Sequence, residues 1–216
     1  VTLFLAHERA KGSDSFYDLY VISHPQRPPC AWCMEDDQLI GAISRYGALL
    51  DTRGWAGEVS RAKDYAERVS KGMAKDYGDC LGITADDLQW AMGIVSSRAM
   101  GGAASPTLVP LLDLVNHHAL RHPFTGHDGY ADAIRKRSEL GDGESGVFVS
   151  QSSTPDDWAF WSYDKGGLTA MPLRGGEELL ACYTEEYTPF DWFLNLGFLP
   201  IDSLPETEKV KDSKPS

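Results

Sequence analysis

A helical repeat of apolar residues governs the first half of the chain and stops near Ser105. Trp55, Val59, Ala62, Ala66, Val69, Met73 and Tyr77 recur at steps of three and four, which sets them on one face of a single helix. Arg61, Lys63, Asp64, Glu67, Arg68 and Lys71 fill most of the other side. The same reading predicts a helix over the opening residues up to Gly12 and another from near Glu35. A further helix follows Thr84, which with Asp87 makes a capping box. It would bury Leu88, Met92, Val95 and Ala99 and stop at Gly101-Gly102. The loops between are rich in Pro and Gly, notably from Pro25 to Pro29.

Beyond Ser105 the apolar pieces become short: 108–112, 147–150, 158–163, 168–171 and 179–183. Turn residues such as Asp164-Lys165-Gly166-Gly167 and Gly175-Gly176 separate them, as in short antiparallel strands. The polar stretch from His122 to Gly146 is expected to be a surface excursion. A last helix is capped by Thr188, with Pro189 at its first position and Asp191 at its third, and ends at Gly197. The expectation is an α+β fold: a helical part over residues 1–104, a strand-rich part over 105–200 and a charged, disordered tail over 201–216.

Charge limits the partners. Twenty Lys and Arg stand against 32 Asp and Glu, a net charge of -12. No basic cluster is present to displace counterions from a phosphate backbone, so no nucleic-acid partner is expected. An acidic surface instead favours a basic partner, mainly through association rate. No apolar run approaches the ~20 residues needed to span a membrane, so no membrane partner is expected. Cys30, Cys33, Cys80 and Cys182 are too few and too scattered for a disulfide scaffold. Val1 to Leu5 is too short for a signal-peptide core, and an intracellular setting, whether cytoplasm, nucleus or plastid, is the expectation.

Two segments carry polar groups where an apolar run has no use for them. Leu108-Val-Pro-Leu-Leu-Asp-Leu-Val-Asn-His117 reads as a buried strand ending in Asp113, Asn116 and His117, groups that need partners. Gly175-Gly-Glu-Glu-Leu-Leu-Ala-Cys-Tyr183 is a glycine turn, an acidic pair and a strand ending on a tyrosine; Asn195-Leu-Gly-Phe198 closes the region. Taken singly, Tyr183 could be a half-buried β residue, Arg98 a helix C-terminal charge and Asn116 a turn cap.

In this order the segments resemble the signatures of the SET domain, in the subfamily of the Rubisco large-subunit methyltransferase and the actin-histidine methyltransferase. Ser97-Arg98 is similar to that subfamily's Ser-Arg. Leu3-Phe-Leu-x-x-Glu8 with Gly12-Ser-Asp-Ser-Phe16 is similar to the start of its helical insertion, and Trp32 with Glu35 to Leu39 looks like the family's next element. The resemblance covers roughly residues 1–199 and implies a SET-type fold whose helical insertion is residues 1–104.

The resemblance also implies a cofactor, S-adenosyl-L-methionine, and a reaction, methyl transfer to a side chain of a protein substrate with a basic tail or exposed lysine. Lysine Nζ is the first expectation and histidine the second. Asn116 and His117 would hold the cofactor's adenine and amino-acid portions, Arg98 its carboxylate, and Phe198 would wall the pocket. Tyr183 would be the catalytic tyrosine beside the transferring methyl. Asp113 would face the substrate or stabilise its strand.

Some positions depart from the pattern. Leu196 stands where the family often has a substrate-channel tyrosine, Met100 where an aromatic follows Ser-Arg-Ala, and Pro189 where an Asn begins the last helix. A Gly-x-Gly segment that lines the cofactor's methionine end in the family does not occur ahead of these motifs within residues 1–216. Two other readings therefore stay open: a SET-derived protein-binding module without catalysis, and a metal-dependent enzyme using the His117 to His127 region. His117, His118, His122 and His127 match no usual zinc spacing, and Cys30-Ala-Trp-Cys33 lacks a second pair, so no metal ligand is assigned.

Overall fold

The computed structural model describes residues 1–99, 107–108, 112–117, 145–151, 158–164, 167–170, 180–181, 183 and 187–200. The chain divides into two compact units, Val1–Asp113 with Tyr187–Ser216, and Leu114–Glu186.

The first unit is helical. Among the described residues its helices are α1 (Thr2–Lys11), α2 (Asp18–Ser23), α3 (Asp36–Gly47), α4 (Trp55–Leu81), α5 (Ala85–Arg98) and α6 (Pro189–Leu196), with 3-10 turns at Gly12–Asp14 and Ala31–Cys33. Local chemistry fixes several ends. Thr84 Oγ1 accepts from the Asp87 N–H at 3.2 Å while the Asp87 carboxylate accepts from the Thr84 N–H at 3.0 Å. Thr188 and Asp191 repeat that exchange at the start of α6, where Pro189 needs no N–H partner. In the last turns of α1, buried Glu8 accepts from Ser15 Oγ at 2.6 Å and Lys11 Nζ at 2.7 Å, which ties the Glu8 and Gly12–Phe16 motifs together.

Among the described residues two apolar clusters hold this unit. Leu5 and Ala6 of α1, Val21 of α2, Ile83, and Leu88, Trp90, Ala91 and Ile94 of α5 form the first. Burying one such Leu or Ile side chain contributes about 1.5–3 kcal/mol. In the second, Ala31, Trp55 and Val59 meet Phe193, whose ring stacks on Trp55 at 5.3 Å. The last helix thereby closes onto residues far earlier in the chain. Gly197 makes that possible: its φ is +74°, and a Cβ there would lie 1.8 Å from the Pro29 carbonyl oxygen. At Gly93 a Cβ would lie 2.6 Å from the Pro28 ring, so α5 needs glycine to pack against that loop.

The predicted stripe on α4 is buried only in part. Trp55, Val59 and Ala66 are buried and so is Ser70, whereas Tyr77 is exposed. Helix α5, on which α1 and α4 both pack, buries Leu88, Trp90, Ala91 and Ile94, whereas Met92, Val95 and Ala99 of its predicted stripe are only half-buried.

Among the described residues the second unit holds five short strands: β1 (Asn116–His117), β2 (Ser145–Gln151), β3 (Trp158–Asp164), β4 (Gly167–Ala170) and β5 (Leu180–Ala181). Strands β2, β3 and β4 form an antiparallel meander, with Phe148 opposite Trp161 and Trp161 opposite Ala170. Strand β1 pairs with β5, and that pairing is parallel rather than antiparallel. A 3-10 turn, Leu112–Leu114, stands where the strand over 108–112 was expected to end.

The α+β class expected from the sequence is corrected. Helix dominates the described residues; the first unit contains no strand among them, and no strand in the second exceeds seven residues. The physical reason is that the helical segment supplies both apolar clusters, while the short apolar pieces after Ser105 pair over only two to seven residues. Of the expected excursion from His122 to Gly146, residues 122–144 lie outside the described residues, as do the stop at Gly101-Gly102 and the tail 201–216, whereas Ser145 and Gly146 begin β2.

Candidate functional site

The polar strand end and the tyrosine meet within the second unit. Asn116 and His117 pair in register with Leu180 and Ala181, which brings β1 beside the strand that leads to Tyr183. The Tyr183 phenol, partly buried, donates to the backbone carbonyl of buried Val115 at 2.5 Å. A phenol spent on a main-chain carbonyl is fixed in position, one residue from Asn116. The Asn116 side chain is exposed.

Arg98 and Asp113 meet within the first unit. Arg98 is the last residue of α5, and its Nη1 donates to the Asp113 carbonyl at 2.5 Å. The Asp113 carboxylate is buried and accepts the Tyr20 hydroxyl on Oδ2. His24 Nε2 lies 3.6 Å from the same oxygen, too far for a hydrogen bond, and the His24 ring meets Tyr20 edge-on at 4.6 Å. His24 Nδ1 and Nε2, Arg98 Nε and Asp113 Oδ1 are buried without a hydrogen-bond partner among the described residues. Each such group costs about 1–3 kcal/mol, so the cluster is an expensive one for the core to hold.

Burial, and then the positive charge of Arg98, lower the His24 pKa to about 4. Its imidazole is therefore neutral near pH 7, and its approach to Asp113 is not an ion pair. Burial also raises the Asp113 carboxyl above its ordinary value, against the Tyr20 hydrogen bond and Arg98, which pull it down. Tyr20 is pushed above the usual phenol range, by burial first and by Asp113 second.

The remaining sequence-derived positions also lie in the first unit. Leu196 is buried in α6, and Phe198, just past Gly197, sits 5.7 Å from the Trp192 ring. Asn195 Oδ1 accepts from Ser96 Oγ at 2.9 Å, which joins α6 to α5 two residues before Arg98. Met100 and the side chain of His117 lie outside what the structure describes, as do His118, His122 and His127. Among the described residues no group of three metal-ligating side chains occurs. Cys30 is buried, and its thiol donates to the Gly93 carbonyl at 3.2 Å.

Tyr20 and His24 went unseen in the sequence. Nothing local marks them: Tyr20 belongs to a six-residue helix, and His24 precedes a Pro-rich loop. Only their shared distance from Asp113, 93 residues on from Tyr20, reveals them.

No family model matches the chain, and no curated protein does. Solved structures do match. The SET domain of LSMT bound to lysine and AdoHcy aligns with a TM-score of 0.58 at 19% identity, over 93% of this chain and 40% of that one. Rubisco LSMT bound to AdoMet aligns with a TM-score of 0.57 at 18% identity, over 92% of this chain and 38% of that one. Rubisco LSMT bound to sinefungin and monomethyllysine gives 0.54 at 19% identity, over 92% and 38%. This chain spans about two-fifths of their length. In fold, then, it is similar to part of the SET domain of a methyltransferase, the family that its motifs resemble.

Proposed function

We propose that this chain carries part of a S-adenosyl-L-methionine site and serves methyl transfer to a protein side chain, lysine Nζ first. The carrying observation is the pair of ties that set Tyr183 beside the Asn116–His117 strand: the β1–β5 ladder and the phenol bond to Val115. The SET-domain likeness of the fold supports the reading, as do the lysine and AdoHcy in a structurally similar protein.

The residues present suit such a cofactor. Arg98 has one N–H engaged and a buried Nε–H without a partner among the described residues, a donor suited to a carboxylate. In this reading Arg98 holds the amino-acid carboxylate, Asn116 and His117 hold the adenine and amino-acid portions, and Phe198 walls the pocket. When bound, S-adenosyl-L-methionine supplies an electrophilic sulfonium methyl. The protein needs no nucleophile of its own; its part is alignment, worth up to about 7–11 kcal/mol in favourable cases. Tyr183 offers an oxygen that orients the methyl through weak C–H···O contact. The accepting lysine must arrive neutral, and burial near a cationic sulfonium disfavours its ammonium form. Met100 and Leu196 are assigned to the substrate side, and Asp113, whose buried carboxylate accepts from Tyr20, to stabilising its own segment. The net charge of -12 suits a basic protein substrate.

Calorimetric titration with S-adenosylhomocysteine and transfer of a tritiated methyl to cell-extract proteins test this together. Binding with transfer is expected. Binding without transfer would leave a binding module, and absence of both would remove the proposal.

A further inference from the structure

We propose that Tyr20 and His24 are positioning residues that fix Arg98 through Asp113, so that helix α2 sets how firmly the amino-acid end of the cofactor is held. The inference rests on the reading that Arg98 takes the cofactor's carboxylate.

The four residues form one connected chain of contacts. Tyr20 donates its hydroxyl to Asp113 Oδ2, and the Asp113 main-chain carbonyl accepts Arg98 Nη1 at 2.5 Å. His24 lies with its ring 4.6 Å from that of Tyr20 and its Nε2 3.6 Å from the same carboxylate oxygen, and its side chain is fully buried. It therefore confines both partners of the Tyr20–Asp113 bond. Asp113 sits on a 3-10 turn, so holding its carboxylate also holds the carbonyl that Arg98 meets. A guanidinium is planar and rigid: anchoring one N–H sets the direction of the others, Nε included.

A purely structural role fits this cluster poorly. Structural polar networks persist when every member is satisfied, and a half-satisfied network is worse than an apolar core. Here every buried side-chain atom without a partner among the described residues belongs to His24, Arg98 or Asp113. The unmet capacity is gathered around the one cation that the proposed function assigns to an anionic group.

The test pairs two ligands that differ by one group: S-adenosylhomocysteine and its decarboxylated analogue, S-adenosyl-3-thiopropylamine. Calorimetry on the full-length protein compares wild type, Tyr20→Phe and Arg98→Lys with each. Tyr20→Phe is expected to lose about tenfold in affinity for S-adenosylhomocysteine, the scale of one misaligned charge-assisted hydrogen bond, and less than about twofold for the analogue. Equal weakening of both ligands, or of neither, overturns the inference. Arg98→Lys reports on the reading beneath it: if that variant also fails to discriminate the two ligands, Arg98 does not hold the carboxylate. If Arg98→Lys discriminates and Tyr20→Phe does not, only the positioning role falls. Should Tyr20→Phe fail to fold, His24→Asn carries the same comparison.

Discussion

Tyr183 and Val115, 68 residues apart, are joined by a hydrogen bond from a phenol hydroxyl to a main-chain carbonyl. Replacing Tyr183 by Phe keeps the ring and deletes the donor. The Val115 carbonyl then loses this partner, for a destabilisation of about 1 kcal/mol. If Tyr183 also orients the methyl, transfer should fall about a hundredfold, the scale of an ångström of misplacement. Single-turnover rates set against urea midpoints separate the two effects; an undiminished rate would remove Tyr183 from the reaction.

Gly197→Ala should destabilise the helical unit by at least about 2 kcal/mol. The residue sits at φ +74°, and the added methyl would meet the Pro29 carbonyl oxygen. A conventional surface change such as Lys75→Ala should shift the midpoint by less than about 0.5 kcal/mol. Equal denaturation midpoints for the two variants would show that α6 does not close onto the Pro29 loop as described.

Thr188→Ala and Thr84→Ala each remove a side-chain cap, and each should cost about 1 kcal/mol. Both caps lie at exposed helix starts, so catalytic and binding parameters should hold. The two sites are far apart in sequence and share no hydrogen-bond partner, so the double variant should show a near-additive loss in urea unfolding.

Acid should weaken the fold through His24. Its pKa is lowered to about 4, by burial and then by Arg98, from an ordinary value of 6.5. Between those values the unfolded chain binds the proton and the folded chain does not, so stability falls as pH drops from about 6.5 toward 4. The loss is on the order of 2 kcal/mol. Asp113 works the other way. Its raised pKa means the folded state takes up a proton before the unfolded state, which returns part of the loss at the acidic end. Urea midpoints at about pH 7.5 and pH 5 should differ clearly in wild type and less in His24→Leu. An unchanged pH dependence in that variant would show that folding does not lower the His24 pKa.

What the sequence could reveal followed the range of the forces involved. Caps act within three residues, and Thr84 with Asp87 and Thr188 with Asp191 were readable as written. Strand extents were readable to within a few residues, because alternation and turn chemistry are local. Pairing partners were not. Nothing in the two residues Asn116–His117 states that they lie parallel to Leu180–Ala181, and antiparallel strands were expected throughout. The fold class went astray for a related reason: counting short apolar pieces weighs each as a strand, whereas the packed bulk belongs to the helices. Asp113 was legible as a buried acid in need of partners, but Tyr20 and His24 are set against it by tertiary packing alone.

The bond between Tyr183 and Val115 also dictates timing. A loop of 68 residues must close before it forms, at an entropic penalty of about 4 kcal/mol beyond the constant for any closure. Helices with neighbouring contacts organise in microseconds, whereas such a distant tie raises contact order and is made late. On the ribosome, Val115 would emerge and wait for Tyr183, and Trp55 would wait longer still for Phe193, so both ties leave apolar surface open to aggregation on the way.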